Sequence, residues 1–258
     1  MTRVPLPKDF LRLPLAHRGY HDKANGVIEN SLSAFRAAIA AGYGIELDVQ
    51  RSADDVAIVF HDDEMDRLTD ITGAFRGYSA AELGRIILRG GTDKIPTLKE
   101  VLAMVAGRVP LLVEIKENWN TMENTDGILE NAVAEALAGY AGPVAVMAFN
   151  PHCTAHMARL APEVPRGLAT EAFDPVLNAP IPAEVCTYLR EIPDYDRTGS
   201  SFISHQVSDL GRPRVAALKA QGAAILCWTV RSPEAEAMAR HVADNITFEG
   251  YPSPIPAA

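Results

Sequence analysis

No stretch of this chain approaches the ~20 consecutive apolar residues that a membrane-spanning helix needs, so no integral membrane segment is expected. Positive charge is also scarce. Lysine and arginine total 24 against 33 aspartate and glutamate, a net charge of −9. Such a surface argues against nucleic acid or an anionic membrane as a partner. An anionic substrate would need positive charge gathered locally. The chain has few cysteines: Cys153, Cys186 and Cys227 are scattered, odd in number and lack the spacing of a metal site. That pattern fits a reducing compartment. The first ten residues hold no apolar run of the kind a signal peptide needs, and the expectation is a soluble, cytoplasmic protein.

What the chain does have is ordinary globular material, 48% hydrophobic and 22% charged over 258 residues. Short apolar runs alternate with amphipathic ones. Strands are expected at 13–16, 45–49, 111–115, 144–149, 166–169, 202–205, 224–230 and 246–248. An extra strand at 56–60 returns from the turn Ser52-Ala53-Asp54-Asp55. Helix starts are marked by Asn30 or Ser31, by the capping box Thr97-Leu98-Lys99-Glu100, and by Asn150-Pro151 and Ser232-Pro233. Gly42 and Gly107 are expected to end the first two of these helices. Eight strands, nearly all followed by a helix, point to a parallel sheet closed as a (β/α)8 TIM barrel. An open doubly wound sheet is the rival, but it calls for a glycine-rich phosphate turn after the first strand, and His17-Arg18-Gly19 is not one. Residues 1–258 thus read as one barrel domain, with a small polar, glycine-rich insertion at about 62–95 after the second strand. That insertion is too short to bury a core of its own. Residues 171–198 read as a long loop lying over the barrel mouth.

In such a barrel, residues at the carboxyl ends of strands face the active site. Glu46 and Asp48, two apart, share one face of their strand, as do Glu114 and Lys116 on the next. Carboxylates facing a barrel mouth are costly unless they are paired or hold a cation. One alone would be read as a salt bridge. Three on neighbouring strands, with no adjacent His or Cys ligand, favour one hard divalent cation, Mg²⁺ or Ca²⁺. His17 and His61 both stand at strand ends near this acidic group, where acid/base work would be done. His21, His152, His156, His205 and His241 lack that setting. Arg18 offers a bidentate fork suited to phosphate, and Lys116 adds a point charge. Both could equally pair with the carboxylates. Phe149 and Trp228 end apolar strands, either as an aromatic wall of a substrate pocket or as core packing. No apolar rim of the kind a membrane-acting lipase would want is evident.

His17-Arg18-Gly19, Glu29-Asn30-Ser31, Glu46-Leu47-Asp48-Val49, His61-Asp62, Pro96-Thr97-Leu98, Glu114-Ile115-Lys116 and Cys227-Trp228-Thr229-Val230 occur in one order along nearly the whole chain. In this the sequence resembles the glycerophosphodiester phosphodiesterase family. The resemblance implies a TIM barrel and a divalent cation. It also implies hydrolysis of small-molecule glycerophosphodiesters, the deacylated phospholipid headgroups, to glycerol 3-phosphate and an alcohol. Carried over, it makes His17 and His61 the acid/base pair, Glu46, Asp48 and Glu114 the metal ligands, and Arg18 and Lys116 the phosphate contacts. Three departures are expected to bear on the alcohol and to leave the metal and histidine pair untouched. They are Ala148 before Phe149, Arg231 after Val230, and Glu249-Gly250-Tyr251-Pro252 in place of the usual Asp-Tyr-Pro. The alternatives are a related phosphodiesterase acting on another lipid headgroup, and a non-catalytic glycerophosphodiester-binding protein.

Overall fold

The computed structural model describes residues 3–256. Its strands are β1 (Leu15–Ala16), β2 (Gly44–Arg51), β3 (Ala57–Val59), β4 (Leu111–Ile115), β5 (Val144–Ala148), β6 (Arg166–Thr170), β7 (Phe202–Gln206), β8 (Ala224–Val230) and β9 (Asn245–Phe248). Its helices are α1 (Asp9–Arg12), α2 (Leu32–Ala41), α3 (Ala80–Leu83), α4 (Leu98–Val105), α5 (Ile128–Leu137), α6 (Pro151–Leu160), α7 (Ala183–Arg190), α8 (Pro213–Ala220) and α9 (Pro233–Ala239). Leu15 of β1 pairs in parallel with Gly44 of β2 on one side and with Thr247 of β9 on the other. The sheet therefore closes. Eight parallel strands form a barrel in the order β1-β2-β4-β5-β6-β7-β8-β9, and β3 is an antiparallel flap on β2.

Alternation along the strands divides the core into two layers. Ile45, Leu47 and Val49 point outward and pack with Phe35, Leu98 and Val101 of the surrounding helices. Inside the barrel, Leu15, Leu112, Phe202 and Leu226 fill the amino-terminal half, Phe10 of α1 plugs that end, and Met147, level with Glu114, forms the floor of the mouth. A Cβ at Gly167 would overlap the Phe202 ring, so this strand position must be bare for the interior to pack. The carboxyl-terminal end stays open and polar.

Local chemistry explains most element ends. Ser31, not Asn30, caps α2 by accepting from the Ala34 N–H. Thr97 and Glu100 form the capping box of α4, but the left-handed residue that ends that helix is Ala106, one before Gly107. The segment 62–95 buries a small cluster of Met65, Leu68, Phe75 and Leu83 against Ile28, Ile58 and Phe60 from outside it. Phe60 and Phe75 stack with centroids 5.0 Å apart. The long loop expected at 171–198 is partly wrong, because it contains α7. Cys186 and Leu189 of α7 bury against Phe173 and Ile181, so only the first part of the segment stays irregular.

Candidate active site at the carboxyl end of the barrel

Strand register builds the acidic centre. Asp48 and Glu114 are direct partners across β2 and β4, and Glu46 lies two residues back on the same face as Asp48. Oxygens of all three carboxylates lie within 4.8 Å of one another, and all three residues are buried. Burial, then the charges of Asp48 and Glu114, push the Glu46 carboxyl well above its ordinary value. Burial opposes ionisation of Asp48 too, but His61, Arg18 and Lys116 hold it below the usual carboxylate range. Asn30 Nδ2 donates to Asp48 Oδ2 at 2.9 Å, and Lys116 Nζ donates to Glu114 Oε1 at 3.3 Å. The Arg18 N–H donates to Glu46 Oε2 at 3.0 Å. An all-oxygen trio, crowded enough to disfavour ionisation of one member, fits a hard divalent cation.

The two histidines flank this centre. The turn after β1 is tight, with Gly19 at φ 81° and so close to α2 that a Cβ would press on Ala34 and Phe35. It carries His17 and Arg18 to the mouth. His17 Nδ1 lies 2.6 Å from Glu249 Oε2. His61 Nδ1 lies 2.6 Å from Asp62 Oδ1. Burial lowers the His17 pKa against the raising effect of Glu249. The His17 and His21 rings in turn hold Glu249 far below the carboxylate range.

Arg18 sits between both systems. Its Nη1 donates to Glu29 Oε1 at 2.6 Å, and its Nε approaches Asp48 Oδ2 at 3.4 Å without a hydrogen-bond partner. Arg67 joins Glu29 to Asp62, with contacts of 2.7 and 2.5 Å. A continuous ionic chain thus runs from His61 through Asp62, Arg67, Glu29 and Arg18 to Asp48. Lys116 Nζ also lies 3.9 Å from the centre of the Trp119 ring.

A cavity of about 400 Å³ opens at this end of the barrel. All nine expected site residues, His17, Arg18, Glu46, Asp48, His61, Glu114, Lys116, Phe149 and Trp228, border it. Phe149 and Trp228 meet edge to face with centroids 5.4 Å apart. His205 is a buried structural residue, bonded to Thr170 and Asp209. Two expectations fail. Glu249, one of the three departures, touches His17 directly, because β9 and β1 leave the barrel side by side. The mouth also has a small apolar rim, since Val176 and Leu177 are 85% and 83% exposed on the loop that covers it. Sequence reasoning also gave no role to Glu29, Asp62, Arg67 or Trp119, and considered Asn30 only as a cap. Glu29, Asn30 and Asp62 lie inside the ordered motifs that carry the family resemblance, which is the signal the sequence offers for them. Ala148 packs outward in the helix layer and does not reach the cavity.

A closed (β/α)8 barrel with acids, imidazoles and cations at its carboxyl rim defines a barrel phosphodiesterase. The chain belongs to the glycerophosphoryl diester phosphodiesterase family, whose model matches residues 17–246. YhdW of Bacillus subtilis is 24% identical over 249 residues, covering 92% of this chain and 94% of that one. The glycerophosphodiester phosphodiesterase of Caldanaerobacter subterraneus is 30% identical over 164 residues, covering 60% of this chain and 65% of that one. Among solved structures, a phosphodiesterase of Oleispira antarctica in complex with the product sn-glycerol-3-phosphate shares the fold. Its TM-score is 0.73 at 24% identity, with 93% of this chain and 94% of that one covered. Among the described residues, no helix is long and apolar enough to cross a membrane.

Proposed function

We propose that this chain hydrolyses glycerophosphodiesters to glycerol 3-phosphate and an alcohol. The observation that carries the reading is the meeting of Glu46, Asp48 and Glu114 with Arg18, Lys116 and two carboxylate-held imidazoles around one cavity. Glu46, Asp48 and Glu114 would hold one divalent cation, Mg²⁺ or Ca²⁺, which supplies positive charge for a phosphoryl oxygen. Arg18 and Lys116 bind the remaining phosphoryl charge. Burial keeps His17 in the neutral form that accepts a proton, which favours it as the base. His17 takes the proton of the attacking hydroxyl as its oxygen bonds to phosphorus. The bond from phosphorus to the alcohol oxygen breaks, and His61 gives that oxygen a proton. The attacking hydroxyl is either water or a neighbouring glycerol hydroxyl. The second gives a cyclic glycerol phosphate, which water then opens, its oxygen bonding to phosphorus as the ring P–O bond breaks and His61 and His17 exchange roles. Trapping a cyclic phosphate intermediate distinguishes the second route. The three free cysteines, all buried, fit a cytoplasmic setting.

The test is an assay of glycerophosphocholine with Mg²⁺ or Ca²⁺, detecting glycerol 3-phosphate, on the wild type, His17→Ala and His61→Ala. Each imidazole is worth about 10²–10⁴ in rate. Near-full activity in both variants ends this assignment, and binding without turnover by the wild type would favour the non-catalytic alternative.

One observation favours a second reading, a related phosphodiesterase acting on intact lipid. The exposed Val176 and Leu177 beside the cavity would suit an acyl chain. A higher kcat/KM for lysophosphatidylcholine than for glycerophosphocholine, reversed by Leu177→Asp, would establish it.

A further inference from the structure

The cavity is chemically lopsided. The acids, His17, Arg18 and Lys116 leave β1, β2 and β4, which are consecutive in the ring, while the cavity's other cation, Arg231 after β8, is held by Glu249 at 2.6 Å. Across the mouth, β6 lies four places round from β1, and β8 four places from β4. Glu171 follows β6 and Trp228 ends on β8, and both face the same cavity. Glu171 is half-buried beside the apolar Phe173. Among the described residues no ion pair joins a cationic side chain to it, and Asn178 is the polar side chain that acts on it. Burial raises its carboxyl, and Asn178 opposes that. An acid so placed is relieved when a cation arrives, and this protein brings none of its own.

The neighbouring surface suits an organic cation. Phe149 and Trp228 present an edge-to-face pair. The Trp228 indole N–H donates to the Ser204 carbonyl at 3.0 Å, which fixes the ring. Aromatic faces attract an ammonium through the ring quadrupole, and a carboxylate nearby supplies the net charge. A neutral polyol gains neither. Building on the function proposed above, we infer that Glu171, Phe149 and Trp228 form the subsite for a cationic alcohol group of the diester, a primary or quaternary ammonium. Glu171 is then a specificity residue, remote from the reacting phosphorus.

The experiment titrates choline, and separately its neutral carbon isostere, into the full-length protein, followed by calorimetry. Choline binds about tenfold more tightly than the isostere, and Glu171→Gln cuts that difference severalfold, leaving only the share due to the rings. Equal binding by the wild type, or a preference undiminished in Glu171→Gln, overturns the inference whether or not any diester is turned over. A kinetic arm separates it from the parent reading. In Glu171→Gln, kcat/KM falls about tenfold for glycerophosphocholine and glycerophosphoethanolamine, and stays within about twofold for glycerophosphoglycerol. A uniform fall on all three would mean that Glu171 serves the glycerol end, which overturns the inference. Wild-type inactivity on every diester would refute the parent reading, and the choline titration would still decide this one.

Discussion

The carboxylate of Glu249 stands 2.6 Å from Nδ1 of His17, although 232 positions separate the two in the chain. Barrel closure makes the contact. β1 and β9 are hydrogen-bonded neighbours, and both residues leave at the same rim. The His17 N–H donates to the Phe248 carbonyl, so the backbones are joined one residue before the side chains meet. A carboxylate at Nδ1 fixes the tautomer and leaves Nε2 for the substrate. Arg231 binds the other oxygen of Glu249 at 2.6 Å and fixes it in turn.

Replacing Glu249 by Gln should lower kcat by about 10²-fold with little change in KM, because orientation of the base is lost and not substrate binding. The pH profile should move as well. Glu249 raises the His17 pKa against burial, so removing its charge lowers that pKa further. The base must be neutral to act, so the acid limb of kcat/KM shifts to lower pH. An unchanged kcat and an unmoved limb would make Glu249 a bystander.

Glu46 offers a test of the cation that does not depend on turnover. Its folded-state pKa is raised, by burial first and then by Asp48 and Glu114. An acid of this kind costs stability as pH rises above its unfolded value near 4.5. Glu46→Gln cannot ionise, so the metal-free variant should melt higher than the metal-free wild type at pH 7, by about 2–4 °C per kcal/mol relieved. Added Mg²⁺ or Ca²⁺ should then raise the wild-type melting temperature and leave the variant's nearly unchanged. Equal metal-induced shifts in both proteins would remove Glu46 from the ligand set.

Asn30 is argued to hold Asp48 in place. It is 1% exposed, has φ 54°, and donates to the Asp48 carboxylate. Asn30→Gly accepts the left-handed backbone but loses the amide, whereas Asn30→Ala loses both advantages. Both variants should bind the cation about 10–100-fold more weakly, the usual effect of losing a group that orients a ligand. Only the alanine variant should also pay a backbone penalty of about 1–2 kcal/mol in chemical denaturation. Wild-type metal affinity in Asn30→Gly would show that Asp48 needs no such support.

How much of this could be read from the chain depends on the range of the interaction. Glu46 and Asp48 were legible because strand alternation puts residues two apart on one face. The fold was legible because each βα unit carries local caps and periodicity, as at Thr97-Glu100 and Ser232-Pro233. Glu249 was not, because only closure of β9 on β1 gives it a partner. Helix α7 was hidden because it starts after Pro182 with no side-chain cap and lies in a proline-bearing stretch. Arg67 was hidden for a third reason. It lies in an insertion without period, and nothing local marks it as the link between Glu29 and Asp62.

That link gives the protein a predictable weakness in acid. Burial works against the Glu29 carboxylate, yet Arg67 and Arg18 hold its pKa down to about 2 from an ordinary 4.5. A depressed acid contributes stability that is fully present above the unfolded value and lost as pH falls through the folded one. The contribution of Glu29 is therefore intact above about pH 4.5 and disappears towards pH 2. Glu29 is mostly buried, while Arg67 is nearly half exposed and can return to water. The net value at pH 7 is accordingly about 2 kcal/mol, below the full linkage value of the shift. Glu29→Gln should be less stable than the wild type by about that amount at pH 7, and the gap should close as pH falls from 4.5 towards 2. Urea denaturation at a series of pH values measures both. A gap that stays constant over that window would mean that the glutamate acts by shape and not by charge.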